Sequence, residues 1–145
     1  MSSVEKFLTA EEELEIVQAI LEAEKNTSGE IRVHVEAHTG LAHFERAKAI
    51  FHLLKMDNTK DENGVLIYVA VNDCKFVIYG DRGIDKAVPE NFWNTTKDSI
   101  QSHFAKGNFK QGIVEGILSA GKELQNHFPW NHGDINELPN EVSKG

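Results

Sequence analysis

The stretch from Asn63 to Gly83 constrains the fold more than any other part of the chain. Val65 to Val71 is an unbroken run of strand-forming apolar residues, the polar pair Asn72-Asp73 interrupts it, and Phe76 to Tyr79 resumes it. Two such runs about a short polar break read as a β-hairpin. A hairpin brings the chain back to where it began, so Asp81 is expected beside Asn63. The run 65–71 is apolar at successive positions as well as alternate ones. That is the pattern of a central strand covered by helices on both faces.

Upstream, Ile31, Val33, Val35 and Ala37 alternate with Arg32, His34, Glu36 and His38. Strict alternation predicts a strand with one buried and one wet face, at a sheet edge. Between the two strands, Phe44, Ala47, Phe51 and Leu54 recur as a helical stripe. Strands 31–37 and 65–71 are therefore expected to be parallel, joined by a right-handed crossover. Ahead of them, Thr9-Ala-Glu-Glu12 forms a capping box. The helix it opens carries Leu14, Val17 and Leu21 inward, with Ile16, Ile20 and Ala23 widening the stripe, and ends near Lys25-Asn26.

Beyond the hairpin, Gly83 to Val88 reads as a short helical turn, with a helix from about Glu90 bearing Trp93, Ile100 and Phe104 and stopping at Gly107. The last helix, 109–127, turns Ile113, Ile117, Ala120 and Leu124 inward. Gly112, Gly116 and Ala120 line one face of it. Each glycine inside a helix costs about 1 kcal/mol, so the row predicts close backbone packing. The expected fold is α/β: a three-layer α/β/α sandwich with a small mixed sheet and helices on both faces. One domain over 1–128 is followed by a polar, flexible tail over 129–145, its start pinned by Trp130.

A chain of 145 residues is long enough for one domain with a sizeable core. Its net charge of −8 argues against nucleic acid or an anionic membrane as the main partner, and suits cations. The single cysteine, Cys74, excludes an intramolecular disulfide and is typical of a reducing compartment. It is read as a strand residue with no phosphate-binding loop to an arginine, so cysteine-phosphatase chemistry is excluded. Met1 to Lys6 is polar with no apolar signal-peptide segment behind it, and no run reaches the roughly 20 apolar residues a membrane helix needs. A cytoplasmic monomer is the expectation.

If the first two strands are parallel, their starts lie together, and the antiparallel third strand finishes at the same end. Glu30, Asn63 and Asp81 then project from adjacent strand ends, in steps of about 4.8 Å. Asp85 follows one short turn later, and Glu62 precedes Asn63. Carboxylates with a side-chain amide and loop carbonyls are what Ca²⁺ or Mg²⁺ takes. The alternative is structural: Asp81 filling a turn in Gly-Asp-Arg-Gly, and Glu30 paired to Arg32 or Arg82. A rival site lies at the opposite end, where Glu36, His38, Thr39, Asn72 and Asp73 gather, since ligands of open α/β sheets favour the carboxyl ends of parallel strands. His34, Glu36 and His38 could also hold a transition metal, though a solvated strand face yields the same row.

The segments Ser28-Gly-Glu-Ile-Arg-Val, Asn63-Gly-Val-Leu-Ile-Tyr-Val and Phe76-Val-Ile-Tyr-Gly-Asp-Arg-Gly-Ile84 occur in an order that resembles the TPM domain family. Phe109-Lys-Gln-Gly-Ile-Val-Glu-Gly-Ile117, with Gly121 and Leu124 beyond it, is similar as well. The resemblance runs from about residue 9 to Pro129. It implies an α/β/α sandwich that binds divalent cations, calcium above all, and a plant member is credited with acid phosphatase activity. Transferred residue by residue, it implies Asn63 and Asp81 as ligands with Glu30, and Asp85 where many relatives carry an acid. The chain differs from many members in lacking a signal peptide, a membrane anchor and a Gly-rich tail, as a short soluble form would. Three functions follow as expectations: a Ca²⁺- or Mg²⁺-binding or regulatory domain; a metal-assisted phosphatase acting on a phosphorylated substrate; or an interaction module whose protein partner docks on strand 31–38.

Overall fold

The computed structural model describes residues 7–130 and 140–144. In chain order the elements are α1 (Ala10–Ala23), a 3₁₀ turn (Glu24–Asn26), β1 (Glu30–Glu36), α2 (His43–Leu53), β2 (Gly64–Ala70), β3 (Lys75–Gly80), α3 (Arg82–Ala87), α4 (Asn94–Ala105), α5 (Phe109–His127) and β4 (Ser143–Lys144). The sheet order is β3-β2-β1-β4. β1 runs parallel to β2 and to β4, and β3 closes a hairpin on β2.

The strand alternation sorts the sheet into two unequal faces. Ile31, Val33, Val35, Val65, Ile67 and Val69 meet Ile16 and Ile20 of α1, Ile100 of α4, and Ile113, Ile117 and Leu124 of α5 in the main core. On the other face, Leu66, Tyr68 and Ala70 pack with Ala47, Ile50 and Phe51 of α2, plus Met56, in a smaller core. This is the layered α/β arrangement that the hydrophobic pattern predicts. The glycine row of α5 does what its spacing implies. A Cβ on Gly116 would stand 2.6 Å from Ile100, and one on Gly112 would stand 2.7 Å from Phe104, so α4 and α5 approach closely only because those side chains are missing.

Several expectations need correcting. β1 is not a wet edge strand: all seven of its residues are buried, and β4 takes the edge beside it. The inner face of α1 is Ile16, Ala19, Ile20 and Ala23, while Leu14 and Leu21 are exposed. The choice follows from where α5 lies, which periodicity alone does not specify. Phe44 is likewise exposed, resting on Tyr79 with ring centroids 5.5 Å apart. Helix α4 begins at Asn94, after a turn over residues 89–93. Cys74 belongs to the hairpin turn, exposed and at φ 52°. Of the expected tail, residues 131–139 lie outside the described residues. Pro129 bridges to Thr27, and Ser143–Lys144 rejoin the sheet as β4.

Candidate metal site at the mouth of the sheet

Three strand ends converge where β1 and β2 begin and β3 finishes. Glu30 pairs with Gly64, and Val65 with Gly80. The Glu30 amide donates to the Asn63 carbonyl at 3.3 Å, and the Asp81 amide to the Gly64 carbonyl at 3.0 Å. The hairpin thus sets the backbones of Glu30, Asn63 and Asp81 side by side.

Their side chains divide between two cavities. Asp81 and Asp85 line one of about 460 Å³, with Asp57, His52 and Lys48. Glu30 lines another of about 380 Å³, with Leu21, Glu24 and Trp130. Asn63 is buried, and its Nδ2 donates to Ser28 Oγ at 3.2 Å. Asp85 is exposed in the first turn of α3.

Asp81 is the most unusual of the four. It caps α3, its Oδ1 accepting the Arg82 amide at 2.7 Å. Its Oδ2 is buried and has no hydrogen-bond partner among the described residues. Burial raises its carboxyl above the usual range, the Arg82 amide offsets part of this, and Glu62 and Asp57 add repulsion. A buried carboxylate oxygen without a donor is costly, and it is the kind of acceptor a cation satisfies.

The loop before β2 is shaped to hold this end. Glu62 sits at φ 49°, in the left-handed region, where a residue other than glycine is held by its surroundings. Its Oε2 accepts from Arg82 Nε at 2.8 Å. Gly83 lies against the same loop, where a Cβ would come within 2.3 Å of the Asp61 carbonyl oxygen.

At the opposite end of the sheet Glu36 and Asp73 are both paired. Glu36 accepts from Arg46 Nε at 2.9 Å, from Arg46 Nη2 at 3.0 Å, and from the Tyr68 hydroxyl; its Oε1 also meets His34 Nε2 at 3.1 Å. Burial alone would raise the Glu36 carboxyl, but the bonds from Arg46, Tyr68 and His34 prevail and hold it at about 2. Burial pushes the His34 imidazole down, its bond to Glu36 offsetting part of that shift. His34 and Glu36 are therefore buried partners, a correction to the solvated row, while His38 is exposed beyond the strand. At the hairpin tip His43 Nε2 meets Asp73 Oδ2 at 2.9 Å. With its acceptors engaged by its own donors, this rival end offers a metal little.

Among the described residues, no three His, Cys, Asp or Glu side chains are gathered closely enough to hold a metal ion. The mouth still fits a hard cation by donor type. Asp81 and Asp85 offer carboxylate oxygens and Asn63 one amide oxygen, and calcium tolerates carbonyls and water as the remainder of its shell. Lys48, His52 and Asp57 were not foreseen. Lys48 and His52 stand one helical turn apart on α2, a spacing visible in the sequence, but only the fold puts that turn opposite Asp81.

No helix among the described residues is long and apolar enough to cross a membrane. No curated protein matches the chain. Among solved structures, the NMR structure of the BA42 protein from the psychrophilic bacterium Bizionia argentinensis is 61% identical, covers 100% of both chains and superposes with a TM-score of 0.93. The N-terminal domain of a P. gingivalis protein, 19% identical over 87% of this chain and 83% of its own, has a TM-score of 0.68. The N-terminal domain of the cg2496 protein from Corynebacterium glutamicum, at 10% identity over 79% and 72%, has a TM-score of 0.65. The last two likenesses concern the fold alone. The TPM domain description matches residues 2–123, which span all three strand ends of the mouth and most of α5, and the chain therefore belongs to the TPM domain family.

Proposed function

We propose that this TPM domain binds a divalent cation, calcium in preference to magnesium, at the mouth where β1, β2 and β3 meet. Asp81 is the anchoring carboxylate, Asp85 a second carboxylate and Asn63 a neutral oxygen donor; Glu30, whose side chain lines the other cavity, is left out of the shell. The observation that carries the reading is Asp81 Oδ2, a buried acceptor with no donor among the described residues, near Glu62 and Asp57, whose repulsion Arg82 only partly offsets. A bound cation would supply the positive charge this oxygen lacks. Calcium's six to eight oxygen ligands allow loop carbonyls and water to complete such a shell, whereas magnesium's octahedron is less forgiving. Binding adds stability by linkage, growing with the logarithm of the free cation concentration once that exceeds Kd.

Calcium titration by calorimetry and amide NMR, on the wild type and on Asp81→Asn, tests this. Saturable shifts at residues 30, 63 and 81–85, abolished by the substitution, are expected. Unchanged heats and spectra in millimolar calcium would overturn the proposal.

A second reading, metal-assisted phosphomonoester hydrolysis, draws on Lys48 and His52 lining the same cavity as Asp81. There a cation and an imidazole could hold a phosphate oxygen and a proton. Hydrolysis of p-nitrophenyl phosphate that disappears in both Asp81→Asn and Lys48→Ala supports it; activity surviving both removes it.

A further inference from the structure

Helix α1 carries two apolar stripes, and the core takes only one of them. Ile16, Ala19, Ile20 and Ala23 turn inward, whereas Leu14 is 59% and Leu21 42% exposed. Helix α5 lies beside α1 and runs in the same direction. Lys110 Nζ stands 3.3 Å from Glu15 Oε1 near the start of both helices, and Gly121 packs on Ala23 further along. One helical turn apart on α5, Val114 is half-buried and Leu118 is exposed. Between the two helices lies an open trough of about 660 Å³, with Leu14, Ala19, Val114 and Leu118 as its apolar lining. An exposed apolar strip rimmed by polar residues is the mark of an interaction surface.

The charge on the rim decides what can lie there. α1 contributes Glu11, Glu15 and Glu22 to the trough, and α5 contributes one cation, Lys110. Lys110 is already engaged by Glu15, and Glu22 meets only Lys25, in an exposed ion pair of the kind that contributes little. A second copy of this chain would set the same glutamates against one another, with a net charge of −8 on each molecule. An anionic lipid surface would be repelled in the same way. A helix with lysine or arginine on both flanks of an apolar stripe complements the floor and the rim together.

We propose that the α1–α5 trough is a docking site for a basic amphipathic helix of a partner protein. The apolar stripe of that helix seats on Leu14, Val114 and Leu118, and its cations meet Glu11, Glu15 and Glu22. This is helix-in-groove recognition: the apolar anchors supply affinity, and the charged rim selects against acidic partners. The trough shares no residue with the cavity at Asp81, so the proposal stands whether or not a cation binds there.

The test uses the full chain and a fluorescent helical peptide of leucine, alanine and lysine, with leucine along one face and lysine on both flanks. Binding is followed by anisotropy and amide NMR. The wild type should bind it, with shifts centred on residues 11–22 and 110–118 and an affinity that falls as salt rises. Leu14→Gln and Leu118→Gln, both at exposed positions, should each weaken binding at least about tenfold. Glu22→Lys should weaken it as well, whereas Glu90→Lys, the same charge change at an exposed residue outside the trough, should leave it nearly unchanged. A version of the peptide with glutamate in place of lysine should not bind. The proposal is overturned by no binding of the lysine peptide at millimolar concentration, by equal weakening in the two charge variants, or by wild-type affinity in both leucine variants. A concentration-dependent dimer that Leu14→Gln dissolves would also overturn it, because a second copy would then fill the trough.

Discussion

The amide of Gly83 donates to the carbonyl of Glu62 at 2.8 Å, which ties the turn after β3 to the loop before β2. The neighbours of Gly83 leave no space for a side chain. A Cβ there would lie 2.3 Å from the Asp61 oxygen and 2.5 Å from that of Glu62, both main-chain atoms that cannot swing aside. Gly83→Ala should therefore cost about 3 kcal/mol, the upper end of overpacking penalties, and lower the melting temperature by on the order of 10 °C. Gly40 has nothing within 4 Å of its Cβ position, so Gly40→Ala is the matched control and should be close to neutral. Thermal unfolding by circular dichroism checks both. Equal behaviour of the two variants would show that the Gly83 turn is free to relax.

Asp81→Asn should have opposite consequences with and without metal. In the metal-free protein the ionised carboxylate is a cost, because burial and Glu62 raise its pKa. A raised carboxyl binds its proton more readily in the folded state, so the cost is present above the folded pKa and relieved below it. Asparagine removes the charge and can keep the acceptor for the Arg82 amide. The variant should therefore be more stable than wild type at neutral pH in chelator, by about 1–3 kcal/mol. In millimolar calcium the order should reverse, because only the wild type gains from binding. Denaturant unfolding in each condition reads both signs.

The sequence pattern was sufficient for the layers and insufficient for the faces. The run 65–71, the break at Asn72-Asp73 and the return at Phe76 specify a hairpin locally, because a two-residue side-chain period and a polar turn leave little choice. Which stripe of α1 turns inward depends on where α5 lands, and so Ile16 and Ile20 prevail over Leu14 and Leu21. Arg32, His34 and Glu36 read as wet because their burial depends on partners far along the chain: Arg46, Tyr68 and Ser143. For the mouth, the backbone meeting of Glu30, Asn63 and Asp81 was legible from connectivity. The division of Glu30 and Asp81 between two cavities was not, because it depends on side-chain direction at strand ends.

Glu24 should make the protein lose stability as the pH rises through neutrality. Its carboxylate accepts the Ile31 amide at 2.8 Å and joins the end of α1 to β1. Burial raises it from 4.5 to about 7, the Ile31 amide opposing and Glu30 adding repulsion. Because the folded value lies above the unfolded one, the stabilisation is fully present below about pH 4.5 and is lost as the pH rises through 7. A shift of that size corresponds to at most about 3 kcal/mol. Glu24→Gln keeps an acceptor for Ile31 but cannot titrate. It should match wild type near pH 4.5 and become the more stable of the two by pH 8. A wild type that shows no decline across this window relative to the variant would contradict the assignment.

Glu36 sets the opposite limb of the pH profile. Its folded value, about 2, lies below the unfolded reference of 4.5 because donors from Arg46, Tyr68 and His34 overcome the cost of burial. A depressed carboxylate contributes fully above about pH 4.5, and its contribution disappears as the pH falls toward 2. The linkage is worth about 3 kcal/mol, large beside the 5–15 kcal/mol that holds a typical domain folded. Glu36→Gln leaves Arg46 without its counter-charge and the Tyr68 hydroxyl with a weaker acceptor, so it should lower stability at pH 7 by about 2–4 kcal/mol. Its decline between pH 4.5 and 2.5 should then be shallower than that of the wild type, with Asp57 and Asp73, also held below the usual range, contributing what remains. Urea unfolding across that range separates the two. If wild type and variant decline in parallel, other carboxylates govern acid unfolding, and the Glu36–Arg46 pair is only a packing contact.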